Sequence, residues 1–252
     1  MDRLIYHINN NRVNSGKLAV YWLGQAGFVF KTERGTKIGV DLYLSDCCNR
    51  YFGFKRLMPM LVEPQELELD LLIATHAHYD HFDVDTIPLL LNGHTKFIGA
   101  RDCKIECERL KIDPAQTQFI APGEIAQYLD VGITAQKCNH GVGAPDAIGL
   151  LLEISGKKVY ITGDTAFSPE YLTKELFNPD LLILPINGAF GNLDEIQATQ
   201  YVKLLQPKLV IPCHYWNFAE HGGNPYIFME HMKESVPDIA YQIMRMGENI
   251  VV

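Results

Sequence analysis

The stretch Ala74-Thr75-His76-Ala77-His78-Tyr79-Asp80-His81-Phe82-Asp83 constrains this chain more than any other. Four side chains able to bind a metal ion, His76, His78, Asp80 and His81, fall within six residues, straight after the apolar run Leu71-Leu72-Ile73-Ala74. The pattern describes a buried strand that ends in a polar loop, so the fold must bring a strand end to a place where ligands can gather. Side chains two apart in extended backbone point the same way, so His76 and His78 can grip one ion. Asp80 and His81, just beyond the turn, can face a second. Imidazole and carboxylate suit zinc, manganese or iron, whereas a closed structural zinc site draws more often on cysteine. A chance histidine-rich loop is a poor alternative, because the chain has nine His in 252 residues and three of them lie within these six positions.

Upstream, Leu18 to Leu23 and Phe28 to Phe30 read as strands interrupted by Gly24-Gln25-Ala26-Gly27, and a turn at 33–36 precedes a strand from Lys37 to Leu42. Asp41 sits among the apolar residues ending that strand. A buried carboxylate is costly unless hydrogen-bonded, so Asp41 is either a turn residue or a support for the metal loop. Residues 44–66 show no period. They carry Arg50, Lys55 and Arg56, which are either a solvated surface or a grip for an anionic substrate group.

Downstream, apolar runs repeatedly end in residues able to bind metal. Ile133 to Cys138 leads to His140, Lys158 to Thr162 leads to Asp164, and Leu209 to Cys213 leads to His214. Leu181 to Ile186 ends instead in the loop Asn187-Gly188-Ala189-Phe190-Gly191. Further strands are expected at Thr95 to Gly99, Phe119 to Pro122 and Tyr128 to Cys138. Helices are expected at Val84 to Leu91, Ala100 to Leu110, Pro169 to Phe177, Leu193 to Leu205 (capped by Asn192) and Pro225 to Lys233 (capped by Asn224). Strands alternating with amphipathic helices imply sheets covered by helices. No Gly-, Pro- or Ser-rich linker divides the chain, so one domain over 1–252 is expected. Cys103 and Cys107 fall on one helix face as core packing. Adjacent Cys47 and Cys48 fit a disulfide framework poorly.

Hydrophobic content of 47% and charged content of 21% suit an ordinary globular chain, and a net charge of −8 argues against a general nucleic-acid binder. No apolar run approaches the roughly 20 residues of a membrane helix, and the N-terminus lacks a signal-peptide core, so a cytoplasmic location is expected.

Taken together, Asp41, the 76–81 loop, His140, Asp164 and His214 resemble the metallo-β-lactamase superfamily across nearly the whole chain. The resemblance implies an α+β, four-layer αβ/βα sandwich in which two facing mixed sheets are covered by helices. It implies two divalent transition-metal ions, zinc or manganese, one site of which can be only partly filled. His76, His78 and His140 would hold one ion and Asp80, His81 and His214 the other, with Asp164 bridging them and Asp41 supporting the loop. A hydroxide bridging the ions would be the nucleophile, with Asp80 as the catalytic group that orients it or passes a proton to the leaving group.

Within the superfamily, Trp22 to Gly27 with Val40 to Leu42, Ala74 to Asp83, and Ile211 to His214 most resemble the L-ascorbate-6-phosphate lactonase branch. That likeness implies a small anionic ester or lactone as substrate, such as a phosphorylated sugar lactone. The metal loop and Gly163-Asp164-Thr165 also look similar to N-acyl-phosphatidylethanolamine-type phospholipase D enzymes. A phosphodiesterase acting on a cyclic nucleotide, a lipid head group or RNA is therefore the alternative, and a non-catalytic metal-binding protein a third. Substrate-side candidates are Arg50, Lys55, Arg56, Tyr79, Asn187, Phe190, Tyr215, Trp216, Asn217 and His221. No residue pattern identifies an oligomer interface.

Overall fold

The fold is described from a computed structural model covering residues 3–91 and 93–252. Helix α1 (Arg3–Asn10) buries Ile5 and Ile8, and the buried Lys31 ammonium donates to its terminal carbonyls at Ile8 and Asn9. The small-residue break at 24–27 lets the chain double back. Strands β1 (Ala19–Gly24) and β2 (Gly27–Lys31) pair antiparallel, and β3 (Lys37–Val40) extends the meander. Pairing then turns parallel through β4 (Leu71–Ala74), β5 (Lys96–Ala100) and β6 (Thr117–Ile120). Parallel neighbours need crossovers, and these carry α2 (Cys47–Phe52), α3 (Ile87–Leu90) and α4 (Cys103–Arg109).

The second half repeats this plan. An antiparallel meander runs through β7 (Ile125–Tyr128), β8 (Val131–Lys137), β9 (Ile148–Ile154) and β10 (Lys157–Ile161). Parallel pairing follows through β11 (Leu181–Pro185), then α5 (Glu195–Leu205), β12 (Leu209–Cys213), α6 (Pro225–Ser235) and β13 (Ala240–Tyr241). Finally β14 (Asn249–Val251) returns to pair with β1. The result is two seven-stranded mixed sheets, ordered β14-β1-β2-β3-β4-β5-β6 and β13-β12-β11-β10-β9-β8-β7, flanked by helices as an α+β sandwich. Every residue of β4 and β11 is buried, as expected of parallel strands covered on both faces, and side chains of both sheets share one continuous core. Among the described residues, no helix is long and apolar enough to cross a membrane.

This topology positions the site. β3, β4 and β5 run parallel, as do β10, β11 and β12, and β8 points the same way as β10 because β9 is antiparallel to both. Their carboxyl ends carry the ligand-type residues to one edge of the sandwich. There the sheets are joined by backbone hydrogen bonds, Ile148 N to Thr75 O and His214 N to Gln25 O.

One central strand, Ile148–Ile154, has no counterpart among the expected elements; its Leu-rich run lacks the β-branched bias that separates strand from buried helix. Several expectations are revised. The 44–66 segment contains α2, and Val84 to Leu91 forms helix only over Ile87–Leu90. Pro169 to Phe177 forms two short 3₁₀ turns, Pro169–Tyr171 and Lys174–Leu176, not an α-helix. Cys103 and Cys107 are buried core residues, as read.

The cap of α5 is Asp194, not Asn192. Its carboxylate accepts from Gln197 N, while the Gln197 side chain accepts from Asp194 N, a reciprocal capping box. Asp194→Ala should therefore lower stability by about 1 kcal/mol in urea denaturation. Asn192→Ala should leave the cap intact.

Candidate metal centre

Asp41 follows β3 with a left-handed φ of 49°, which turns its carboxylate, 1% exposed, toward the end of β4. The Thr75 amide donates to Oδ1 at 2.7 Å and the Thr75 hydroxyl to Oδ2 at 2.8 Å. His81 Nδ1 lies 2.9 Å from the same Oδ2, and His76 Nδ1 lies 3.1 Å from the Thr75 hydroxyl oxygen. With the Thr75 proton committed to Asp41, both histidines donate from Nδ1, which leaves each Nε2 facing inward. Asp83, fully buried, accepts from Leu44 N and the Ser45 hydroxyl on one side and from Thr86 N and its hydroxyl on the other, clamping the far end of the loop.

The remaining members arrive from the second sheet. His140 follows β8, and its loop is tied to the Asp164 loop by Asn139 N to Thr165 Oγ1 and Ala166 N to Asn139 O. Gly163 has φ +64°, and a Cβ there would lie 2.6 Å from Ile148 O, so only glycine lets β10 turn Asp164 inward so tightly. His214, at the end of β12, has a φ of 64°.

These side chains converge as two adjacent groups, joined by a third made of His76, His81 and Asp164. His76, His78 and His140 form one, with His76 Nε2 3.0 Å and His140 Nε2 3.1 Å from His78 Nδ1. Asp80, His81 and His214 form the other, with His81 Nε2 3.1 Å from His214 Nε2 and His214 Nε2 3.3 Å from Asp80 Oδ2. Asp164 Oδ2 sits between them, 3.7 Å from His140, 3.4 Å from His81 and 3.2 Å from His214 at Nε2. A proton can bridge one nitrogen pair, but three lone pairs meeting at one point suit a shared cation. The donor set of five imidazoles and two carboxylates fits divalent transition ions.

Local electrostatics divide the histidines into two kinds. Burial, reinforced by the charge on His81, holds His76 well below the ordinary imidazole range, and burial brings His140 down to about 4. Burial also opposes charge on His81, yet Asp164, Asp80 and Asp41 together hold it well above that range. Asp164 and Asp80 likewise overcome burial at His214 and raise it to about 9.

Two residues contribute to the site that the sequence had placed only in other roles, Gln25 in the Trp22 to Gly27 motif and Asn192 as a helix cap. Gln25, 1% exposed, donates from Nε2 to Asp80 Oδ2 at 2.8 Å and lies 3.0 Å from His221 Nδ1. Its only local signal was a polar residue inside a small-residue break between buried strands. Asn192 donates from Nδ2 to Asp164 Oδ2 at 2.7 Å, and nothing local marks it.

A cavity of about 520 Å³ opens onto this cluster, lined by Cys48, Phe52, Phe54, Tyr79, Phe190 and His221 among others. Of the substrate-side candidates, Tyr79, Phe190 and His221 line it; His221 is buried and stacks on His214 with ring centroids 4.9 Å apart. The others lie elsewhere. Arg50 pairs with Asp85 at 2.7 Å, and the Arg56 guanidinium donates to the Tyr43, Ser45 and Met58 carbonyls. Lys55 is exposed outside the cavity. Asn187 is buried, with its amide toward Ala189 O; Tyr215 packs on Trp22; Trp216 is exposed against Tyr215; Asn217 is buried. None of these four lines the cavity.

The Beta-lactamase superfamily domain family matches residues 19–214. A UPF0173 metal-dependent hydrolase of Polynucleobacter asymbioticus is 29% identical over 241 residues, covering 87% of this chain and 82% of the relative. Another, of Rubrobacter xylanophilus, is 28% identical over 251 residues, covering 93% and 97%. Among solved structures, Igni18, a novel metallo hydrolase from Ignicoccus hospitalis, superposes with a TM-score of 0.74 at 25% identity, covering 94% of this chain and 98% of that one. An isothiocyanate hydrolase from Delia radicum gut bacteria reaches the same TM-score of 0.74 at 17% identity over 92% and 98%, a likeness of fold alone. The span of the family match includes every strand end that builds the site, and the chain belongs to the beta-lactamase superfamily.

Proposed function

We propose that the protein is a metal-dependent hydrolase that cleaves an ester or lactone bond. One observation carries the reading: a single carboxylate oxygen of Asp164 lies within 3.7 Å of an imidazole from each group, at the floor of a cavity. His76, His78 and His140 would hold one divalent ion, zinc or manganese, Asp80, His81 and His214 a second, and Asp164 would be shared. Ions in such a site polarise a carbonyl or phosphoryl oxygen and make water acidic enough to deprotonate near neutral pH.

The chain's own groups then orient and move protons. Gln25 occupies Asp80 Oδ2, leaving Oδ1 to accept a proton from water and return it to the leaving oxygen. Before any ion binds, burial opposes ionisation of Asp80, but the charges of His81 and His214 outweigh it and hold the carboxyl well below its usual range, so the site offers it as a carboxylate. The second Gln25 amide hydrogen meets His221 Nδ1, which fixes that ring as an Nε2 donor beside the cavity. Likeness to lactonases through Trp22 to Gly27 and Ile211 to His214 supports the ester or lactone bond, and the names of the relatives support hydrolysis. A phosphodiester would want cationic side chains around its phosphate, and among the described residues no Lys or Arg lines the cavity.

His76→Ala and Asp164→Ala should each lower kcat/KM on the best ester or lactone by ~100-fold or more and reduce bound metal, while far-UV circular dichroism stays folded. Normal turnover by both variants would contradict the reading.

Metal uptake should also release protons. The surrounding carboxylates favour a proton on the His81–His214 pair, whose Nε2 atoms lie 3.1 Å apart, so filling the site should expel at least one proton, seen as a dependence of the calorimetric enthalpy on buffer ionisation. Because folding raises the pKa of His214 from 6.5 to about 9, its contribution to metal-free stability is complete below 6.5 and fades as pH rises through 9. The melting temperature of chelator-treated protein should therefore drop across that interval more than that of the metal-loaded protein.

A further inference from the structure

One wall of the cavity is a continuous arc of aromatic rings. It runs from Tyr79 to Phe52 (centroids 5.6 Å apart), Phe54 (6.3 Å), Phe190 (5.7 Å) and His221 (5.2 Å), and ends on His214. Tyr79 comes from the metal loop, Phe52 and Phe54 from the end of α2 and just beyond, and Phe190 from the loop after β11, so three segments distant in sequence build one surface. Phe52 is 57% and Phe190 58% exposed, although both adjoin the cavity. Large apolar side chains left open around a concave site are a feature of ligand contact rather than of core packing. Cys48 and Ala77 add apolar lining; Cys48 is buried, and its hydrogen bond with Cys47, reinforced by burial, raises its thiol far above the ordinary range.

Among the described residues, no Lys or Arg lines the cavity. The cations nearest the wall are already paired: Arg50 with Asp85, Arg56 with three carbonyls, and Arg109 with Glu106, a mutually neutralised pair that meets the wall only at the Tyr79 hydroxyl. A charged group placed here would lose water and gain hydrocarbon, which is costly. A planar apolar group would gain offset and edge contacts with the rings.

We infer that the substrate is an uncharged molecule whose apolar, phenyl-sized portion lies against Phe52, Phe54, Tyr79 and Phe190 while its scissile group faces Asp80 and Asp164. This rests on the hydrolase reading, and it puts a neutral substrate in place of the anionic one that the lactonase resemblance implies.

The test separates the two claims by measuring binding without turnover. Zinc-loaded protein is titrated calorimetrically with acetohydroxamic acid, phenylacetohydroxamic acid and 4-carboxyphenylacetohydroxamic acid, which share one chelating head and differ only beyond it. Phenylacetohydroxamic acid is expected to bind at least about tenfold more tightly than the other two. Phe52→Ala and Phe190→Ala, both at exposed rings, should remove most of that tenfold and leave the affinity for acetohydroxamic acid unchanged. Equal affinity for all three, preference for the carboxylate-bearing probe, or no binding by any of them overturns the inference. Ring-dependent binding with no hydrolysis of any ester or lactone keeps the pocket's preference and removes the hydrolase reading instead.

Discussion

The buried carboxylate of Asp41 is the contact on which the site rests. It takes two hydrogen bonds from Thr75 and one from His81, and through the Thr75 hydroxyl it also sets His76. One side chain therefore joins the end of β3 to the end of β4 and decides which nitrogen two histidines present to the centre. A carboxylate almost wholly removed from water is tolerable only because every contact it makes is a good one. Lengthening any of them would loosen the histidine geometry before it disturbed the sheet.

The two sheets contribute unequally. The first supplies the contiguous loop, His76 to His81, while the second supplies single residues, His140, Asp164 and His214, from three separate strand ends. Hydrogen bonds from Ile148 to Thr75 and from His214 to Gln25 hold these contributions in register at the shared edge. An ion in the proposed centre would be a further tie between the halves of the sandwich, so metal binding and docking of the sheets should be coupled.

What was legible in the sequence was whatever depends on local order. Apolar runs ending in His or Asp marked the strand ends, and the spacing within 76–81 marked the loop. What was not legible depends on partners far along the chain. Gln25 meets Asp80 across 55 positions and Asn192 meets Asp164 across 28, and neither residue type stands out where it occurs. The basic cluster, open in sequence between a solvated surface and an anion grip, likewise finds its partners only in the fold. Arg50 finds Asp85, and Arg56 finds backbone carbonyls in its own segment, so charge density in the sequence did not become charge in the cavity. The α5 cap had a local answer, since Asp194 with Gln197 three residues later is a stronger signal than Asn192 alone.

Three residues at the centre, Gln25, Asp41 and His214, hold left-handed backbone at φ of 51°, 49° and 64°. For side chains other than glycine, such conformations cost on the order of 1 kcal/mol each. Glycine or asparagine would relieve much of this strain, at the expense of the groups that shape the cavity floor. The site is thus a place where the fold is less stable than its backbone would allow, and where selection for stability and selection for chemistry pull in opposite directions. Anyone seeking a more robust version of this protein should look to its exposed helical surface and leave these strained positions alone.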